Sequence, residues 1–375
     1  MRAEARIDLD ALRHNVAAVR DRVGSAQVMA VVKADAYGHG MVQCARAARQ
    51  AGAAWLGTAL PTEALELRRT GDTGRVLSWL WVPGDPFAEA IAADVDISVS
   101  GLWALAEVEE AARATGRTAR VHLKADTGLG RNGCQPHDWE ALVEAALKAQ
   151  ADGLVQVVGL WSHFACADEP GHPSIALQLA AFRDAVAVAE QRGVTPEVRH
   201  MANSPATLTL PESHFDLVRS GLATYGVSPV PDLHSSAELG LRPVMTLVAS
   251  VASVKRVPEG HGVSYGHTWH ADRDTALALV PLGYADGVPR HASSAGPVLV
   301  GGARRTLVGR VAMDQFVVDL GDDESVAPGD EVVLFGPGDG GEPTAEDWAQ
   351  AAGTIAYEIV TRIGSRVPRV YLGAR

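Results

Sequence analysis

Five segments of this chain place chemically capable side chains directly after short apolar runs. The first is Val32-Lys33-Ala34-Asp35-Ala36-Tyr37-Gly38-His39-Gly40. A lysine at the end of a buried strand is costly unless it has a partner or a task. Desolvation lowers its pKa and makes the amine a nucleophile able to form a Schiff base, although a surface lysine laying its stem along apolar neighbours would read the same way. The second, Lys124-Ala125-Asp126-Thr127-Gly128-Leu129-Gly130-Arg131, ends on a planar donor fork suited to a carboxylate or phenolate, and its glycines permit a tight loop. The third, Trp161-Ser162-His163-Phe164, carries a histidine that alone reads as an ordinary core residue. The fourth and fifth are His200-Met201-Ala202-Asn203-Ser204 and Val218-Arg219-Ser220-Gly221-Leu222. They offer the small or glycine-rich backbone that barrels use to hold a phosphate.

Three later segments are weak signals taken singly: Gly262-Val263-Ser264-Tyr265-Gly266, Val311-Ala312-Met313-Asp314-Gln315 and Tyr357-Glu358-Ile359. His261, His267 and His270 lie close in sequence, but no carboxylate or cysteine completes a ligand set, so no metal is expected. The glycine-rich stretch from Gly336 to Gly341 lacks the strand–helix setting of a phosphate loop and reads as a turn.

The elements that must position these groups follow a clear rhythm. Apolar runs at Gln27–Val32, Ala54–Leu60, Arg75–Trp81, Val95–Ser100, Ala119–Lys124, Val155–Ser162, Val198–Met201 and Asp216–Arg219 alternate with helical periodicity, as at Leu9–Val23, Thr62–Arg69, Gly101–Thr115, Trp139–Gln150 and Pro173–Gln191. Eight β/α alternations predict an α/β fold, a closed (β/α)8 barrel of the TIM type, in which groups just past the strands' C-terminal ends share one site. A doubly wound open sheet is the competing arrangement. After about Leu233 the texture changes. Leu241–Val257, Thr275–Leu282, Val298–Val300, Arg305–Asp319 and Glu331–Phe335 read as strands of a mainly antiparallel β-domain. One helix interrupts them, announced by the capping box Thr344-Ala345-Glu346-Asp347. The expected division is a barrel over 1–236 and a β-domain over 237–375.

Composition narrows the function classes. The 375 residues carry 33 basic and 45 acidic side chains, a formal charge of −12, which argues against a nucleic-acid partner and against adhesion to an anionic membrane. No apolar run reaches the roughly 18 residues a membrane-spanning helix needs. The opening MRAEARIDLDALRHN alternates charged and apolar residues and has no signal-peptide core. Cys44, Cys134 and Cys166 are odd in number and widely spaced, as reduced thiols of a cytoplasmic protein would be.

Taken together, the segments resemble the alanine racemases, pyridoxal 5'-phosphate (PLP) enzymes built from a (β/α)8 barrel and a C-terminal β-domain. The matching motifs are VVKADAYGHG at 31–40, KADTGLGRNG at 124–133, SHFACAD at 162–168, HMANS at 200–204, VRSGLATYG at 218–226, VSYGHT at 263–268, LGYADGVPR at 282–290, GRVAMDQ at 309–315 and RVPR at 366–369. They keep the family's order across nearly the whole chain.

The resemblance implies a role for each matched residue. Lys33 holds PLP through its amine. Tyr37, Ser204, Tyr357 and the N–H groups of Gly221 and Leu222 hold the phosphate, with Asn203 beside them. Arg219 donates to the pyridine nitrogen, and His163 lies by the ring face. Arg131 approaches the phenolic oxygen and the substrate carboxylate. Lys124 matches a lysine that many members carbamylate, the anion then orienting Arg131. Tyr265, Met313 and Asp314 come from the second subunit of a homodimer with shared sites. Asp168, Tyr284, Arg290 and Arg310 resemble a polar entrance corridor. Lys33 and Tyr265 are the two bases, one on each face, and His200 is the expected helper of Tyr265. This chemistry suits the residue types. PLP is an electron sink for an α-proton too weakly acidic to remove directly. A permanently charged arginine leaves the pyridine nitrogen unprotonated, so the sink is weak and transamination is disfavoured. Leu129 and Ala312 depart from the commonest pattern, and Trp79 and Trp81 make one strand end unusually aromatic; substrate preference and inhibitor response are what these touch.

Three alternatives remain at this level. A PLP-dependent decarboxylase of basic amino acids would place a carboxylate on the pyridine nitrogen and Cys-Asp where this chain has Met313-Asp314. A non-catalytic PLP-binding barrel would lack the β-domain. A racemase of serine, lysine or another amino acid would share all the catalytic parts.

Overall fold

The computed structural model describes residues 2–374. Its first strand, β1 (Ala3–Asp8), is followed by eight more: β2 (Gln27–Val31), β3 (Trp55–Thr58), β4 (Arg75–Ser78), β5 (Asp96–Val99), β6 (Ala119–Lys124), β7 (Val155–Trp161), β8 (Val198–His200) and β9 (Leu217–Ser220). These eight pair in parallel in the order β8-β7-β6-β5-β4-β3-β2-β9. They are largely buried because helices cover the outside and side chains fill the inside. Met29, Trp55, Leu77, Val198 and Leu217 form one such interior cluster. The seam between β8 and β9 is stitched by Asp216 N–H to the Arg199 carbonyl at 3.1 Å and Arg219 N–H to the Ala202 carbonyl at 2.9 Å. The barrel is therefore nearly closed, and the open-sheet alternative does not hold. All eight expected strands are present, as are the helices Leu9–Val23 and Pro173–Gln191.

The second body is a nine-stranded sheet. Its strands after the barrel are β10 (Met245–Ser250), β11 (Ser253–Val257), the small ribbon β12 (Gly262–Val263) and β13 (Trp269–His270), then β14 (Thr275–Val280), β15 (Pro297–Val300), β16 (Ala303–Val308), β17 (Phe316–Gly321), β18 (Glu331–Phe335) and β19 (Arg369–Leu372). The order is β11-β14-β17-β16-β15-β18-β10-β1-β19, with β12 and β13 apart. Two expected strands prove to be pairs. Leu241–Val257 divides because β10 pairs with β1 and β18 whereas β11 pairs with β14. Arg305–Asp319 divides at the turn that returns β16 into β17 and carries Met313 and Asp314. The strand β1, which the sequence division groups with the barrel, joins the second sheet: it runs antiparallel to β10 and parallel to β19. Chain order alone does not say which sheet a first strand completes. The capping box at Thr344 and Asp347 starts the helix Ala345–Ala352 as read.

The segment after β2 is wound the wrong way for L-residues. Ala34, Asp35, Ala36 and Tyr37 all have φ between 52° and 56°, a left-handed turn that costs about 1–2 kcal/mol per residue. Side chains of the segment itself and from elsewhere hold it. Glu63 accepts from Ala34 N–H at 2.6 Å, Asp35 accepts from Met41 N–H at 2.8 Å, and His39 Nδ1 meets the Ala36 and Tyr37 carbonyls at 2.9 Å. From the C-terminal segment, Arg369 Nε donates to the Gly38 carbonyl at 2.9 Å. Gly40 has φ 96°, and a Cβ there would fall on the Tyr371 hydroxyl. The strained turn thus depends on contacts with the second body. Gly40→Ala is expected to cost about 2–4 kcal/mol, combining backbone strain with overpacking. Urea unfolding checks this, and Gly40→Ala combined with Tyr371→Phe should recover only part of the loss.

Candidate active site

The C-terminal ends of the barrel strands open into a cavity of about 840 Å³. Eleven sequence-predicted residues line it: Lys33, Tyr37, Lys124, Arg131, His163, Asn203, Ser204, Arg219, Gly221, Leu222 and Tyr357. Arg219 is the most constrained. Its Nη1 meets His200 Nδ1 at 3.0 Å, and its Nη2 donates to the Ser162 and Met201 carbonyls at 2.8 and 3.0 Å and meets His163 Nδ1 at 3.1 Å. Trp161 lies against its face, 4.8 Å away. Burial pushes its pKa down to about 9. Among the described residues nothing bonds its Nε–H or its second Nη1–H, and Arg219 lines the cavity, so it keeps donors to spare there.

A second group of donors gathers after β8 and β9. Ser204 Oγ accepts from Gly221 N–H at 2.8 Å and Ala223 N–H at 3.3 Å. The Leu222 N–H and the hydroxyls of Tyr37 and Tyr357 have no partner among the described residues. A Cβ at Gly221 would fall against the Tyr37 hydroxyl, so the glycine keeps open a cradle lined by hydroxyls and N–H groups, which fits an oxyanion. Asn203 caps the following short helix through Ala206 N–H at 3.3 Å.

Both lysines in the cavity are destabilised as cations. Burial lowers the pKa of Lys33, and the charges of Arg131 and Arg219 add to the effect while Glu63 opposes it. Burial, then Arg219 and Arg131, bring Lys124 from 10.5 down to about 7, against a smaller opposing pull from Asp126. Its ammonium lies 4.2 Å from the centre of the Trp161 ring. His163 is held neutral by burial and by Arg219, Arg131 and both lysines. The Arg131 loop is shaped by Asp126, which accepts from Gly128 and Gly130 N–H at 3.0 and 3.2 Å and from Gln135 at 3.0 Å.

The remaining predicted residues lie elsewhere. Tyr265 is 69% exposed and borders a separate depression of about 430 Å³ on the β-domain. Its backbone is prepared by Ser264, at φ 61° and ψ −170° with its hydroxyl donating to the Arg310 carbonyl at 2.6 Å. Exposed Met313 and Tyr284 share that face, joined through Tyr284 N–H to the Ala312 carbonyl at 3.1 Å and Ala285 N–H to the Met313 carbonyl at 3.0 Å. Asp314 pairs with Arg366 at 2.7 Å, and Arg290 is exposed in the turn Arg290–Ala292. Asp168, by contrast, lies near the cavity: burial first, then the Asp168 carboxylate, raise the pKa of Tyr357. His200 does not face the cavity. It is wholly buried behind Arg219, so in this chain it supports Arg219, and His163 is the histidine on the cavity wall. Sequence reading missed Asp96, His122 and Glu63. The first two are polar residues inside strands that otherwise read as apolar, and that was the available signal.

A barrel whose mouth carries a desolvated lysine, an oxyanion cradle and a buried arginine, with a β-domain behind it, is the architecture of a cofactor-dependent barrel enzyme. The family models for the alanine racemase N-terminal and C-terminal domains match residues 7–229 and 244–371. The chain belongs to the alanine racemase family. It is 68% identical to the alanine racemase of Streptomyces coelicolor, over 99% of this chain and 96% of that protein. It is 58% identical to that of Thermobifida fusca, over 99% and 98%. The crystal structure of alanine racemase from D-cycloserine-producing Streptomyces lavendulae superposes with a TM-score of 0.99 at 69% identity, covering 100% of this chain and 98% of that one. No helix among the described residues is long and apolar enough to cross a membrane.

The depressed Lys124 pKa has a stability consequence. Between about 7 and its ordinary 10.5 the unfolded chain holds the proton that the folded chain has released. Stability therefore rises with pH through that window. In bicarbonate-free buffer, wild type should gain more stability from about pH 7 to 10 than Lys124→Met does, measured by urea unfolding. Equal slopes would contradict the burial of an unpaired amine.

Proposed function

We propose that the chain interconverts L-alanine and D-alanine as a PLP-dependent homodimer in the cytoplasm. The observation that carries this reading is the presence of Lys33 and Arg219 in one cavity, both desolvated, with the hydroxyl and N–H cradle in the same lining. These groups suit PLP: Lys33 would hold it through its amine, and Ser204, Tyr37, Tyr357, Gly221 and Leu222 would hold its phosphate. Arg219 Nε–H would face the pyridine nitrogen, with His163 by the ring. When bound, PLP supplies the electron sink that makes the substrate α-proton removable.

The protein's own groups do the rest. The lowered pKa of Lys33 keeps a fraction of its amine neutral, so it can accept the α-proton on one face. Tyr265 of a second copy serves the other face, which accounts for an exposed tyrosine held on a strained backbone outside its own chain's cavity. Met313 and Asp314 reach the substrate from the same copy. Arg131 binds the substrate carboxylate, oriented by Lys124 after its neutral amine takes up carbon dioxide. Asp168 on one chain with Tyr284, Arg290 and Arg310 of the other would form the entrance. The functional halves divide near residues 236 and 237.

Two experiments test this. Across a panel of L-amino acids, alanine should give the fastest D-product. Faster turnover of serine or lysine would favour the broader racemase reading, and carbon dioxide release from a basic amino acid would favour a decarboxylase. Subunits of inactive Lys33→Ala and Tyr265→Ala can then be exchanged. Half of the dimers become mixed, each with one intact site of two, so activity should return to roughly a quarter of wild type. Confirmed exchange without recovery would rule out shared sites.

A further inference from the structure

Behind Arg219, a run of buried side chains crosses the barrel interior from β9 to β5. His200 Nδ1, already bonded to Arg219, is followed by His200 Nε2 against His122 Nδ1 at 2.9 Å, and by His122 Nε2 against Asp96 Oδ2 at 3.3 Å. Asp96, His122 and His200 are all 0% exposed. The proton positions have one consistent solution. A guanidinium can only donate, so His200 Nδ1 accepts and its proton sits on Nε2. His122 Nδ1 must then accept, and its own Nε2–H points at a carboxylate, which only accepts. Arg75 Nη2 and Arg120 Nε each donate to Asp96 at 2.6 Å, holding that carboxylate ionised and fixed.

The backbone is shaped around this run. The β6–β7 register shifts between Val121 and His122, an irregularity of the kind that re-aims a side chain beside a site. On β7, a Cβ at Gly159 would overlap His122 Nδ1. We infer that Asp96 and His122 are positioning residues for the reaction, fixing His200 in the tautomer whose Nδ1 lone pair faces Arg219, and so holding the guanidinium in its place on the cavity wall. This rests on the proposed role of Arg219 toward the cofactor.

The test reads tautomers directly. In holoenzyme labelled with 15N-histidine, His122 and His200 should both be neutral with the proton on Nε2. His122→Gln offers a carbonyl to His200 and an amide to Asp96, so the polarity survives. His122→Phe removes the acceptor and frees His200 to place a proton on Nδ1, against Arg219. The Phe variant should show Nδ1-protonated His200 and lose about tenfold or more in kcat with KM within about twofold, whereas the Gln variant should keep the Nε2–H form and stay within about threefold of wild type. Gly159→Ala, which crowds His122 without removing it, should follow the Phe variant and serves if that variant fails to fold. A wild-type His200 that is charged or protonated on Nδ1, or a Phe variant with unmoved tautomer and kcat, would overturn the inference. The tautomer is read without substrate, so a wild type that shows the expected tautomers but fails to racemise alanine would count against the function and not against the tautomer assignment.

Discussion

A guanidinium buried without a carboxylate to pair with is the constraint on which the site is built. Isolated buried charge is expensive, and removing the groups that compensate it costs several kcal/mol. Arg219 is only 4% exposed, and among the described residues its stabilisation comes from carbonyls, two imidazoles and an indole face. Each of those groups must be held in turn. Ser162 and Met201 supply their carbonyls just after β7 and β8, Trp161 ends β7, and His200 ends β8. The seam bond from Arg219 N–H to the Ala202 carbonyl fixes the arginine's own backbone. The near-closure of the barrel and the solvation of Arg219 are therefore one arrangement.

Two lysines share this field with Arg219 and Arg131, and burial first, then the charges of the two arginines, lower both lysines' affinity for protons. The chain has only four lysines, so placing half of them in one cavity is a concentrated use. A site with this excess of positive charge recruits anions, and a phosphate and a substrate carboxylate both answer to that description. Lys33 and Lys124 nonetheless differ. Lys33 leads into a strained left-handed turn braced by Glu63, His39 and Arg369, whereas Lys124 ends β6 and rests on Trp161. The strained turn carries Lys33 and Tyr37 to the same cavity wall, a placement that a right-handed continuation would not give.

Much of this was legible in the residues. Parallel strands buried on both faces read as continuous apolar runs, so all eight barrel strands stand out, and the groups just past them are the ones that meet. Long-range pairing was not legible. The alternating charged and apolar residues that open the chain were not read as a strand at all, and the run Leu241–Val257 gives no sign that its halves serve different neighbours. The left-handed turn at 34–37 is composed of alanine, aspartate and tyrosine, none of which announces a positive φ; only Gly38 and Gly40 hint at it. Asp96 and His122 were missed because a single polar residue in a strand carries no periodicity. Their meaning arises only when barrel closure brings β5, β6, β8 and β9 into one interior. Tyr265 shows the converse, since its motif is plain in the sequence while its own chain leaves it outside the cavity.

The central claim is that Lys33, and not the neighbouring Lys124, is the residue built to hold the cofactor covalently. Borohydride reduction of the yellow holoenzyme, followed by digestion and mass spectrometry, tests it directly. One reduced pyridoxyl adduct per chain is expected, on the peptide containing Lys33, with Lys124 free of it. An adduct on Lys124 or on any other lysine would contradict the account.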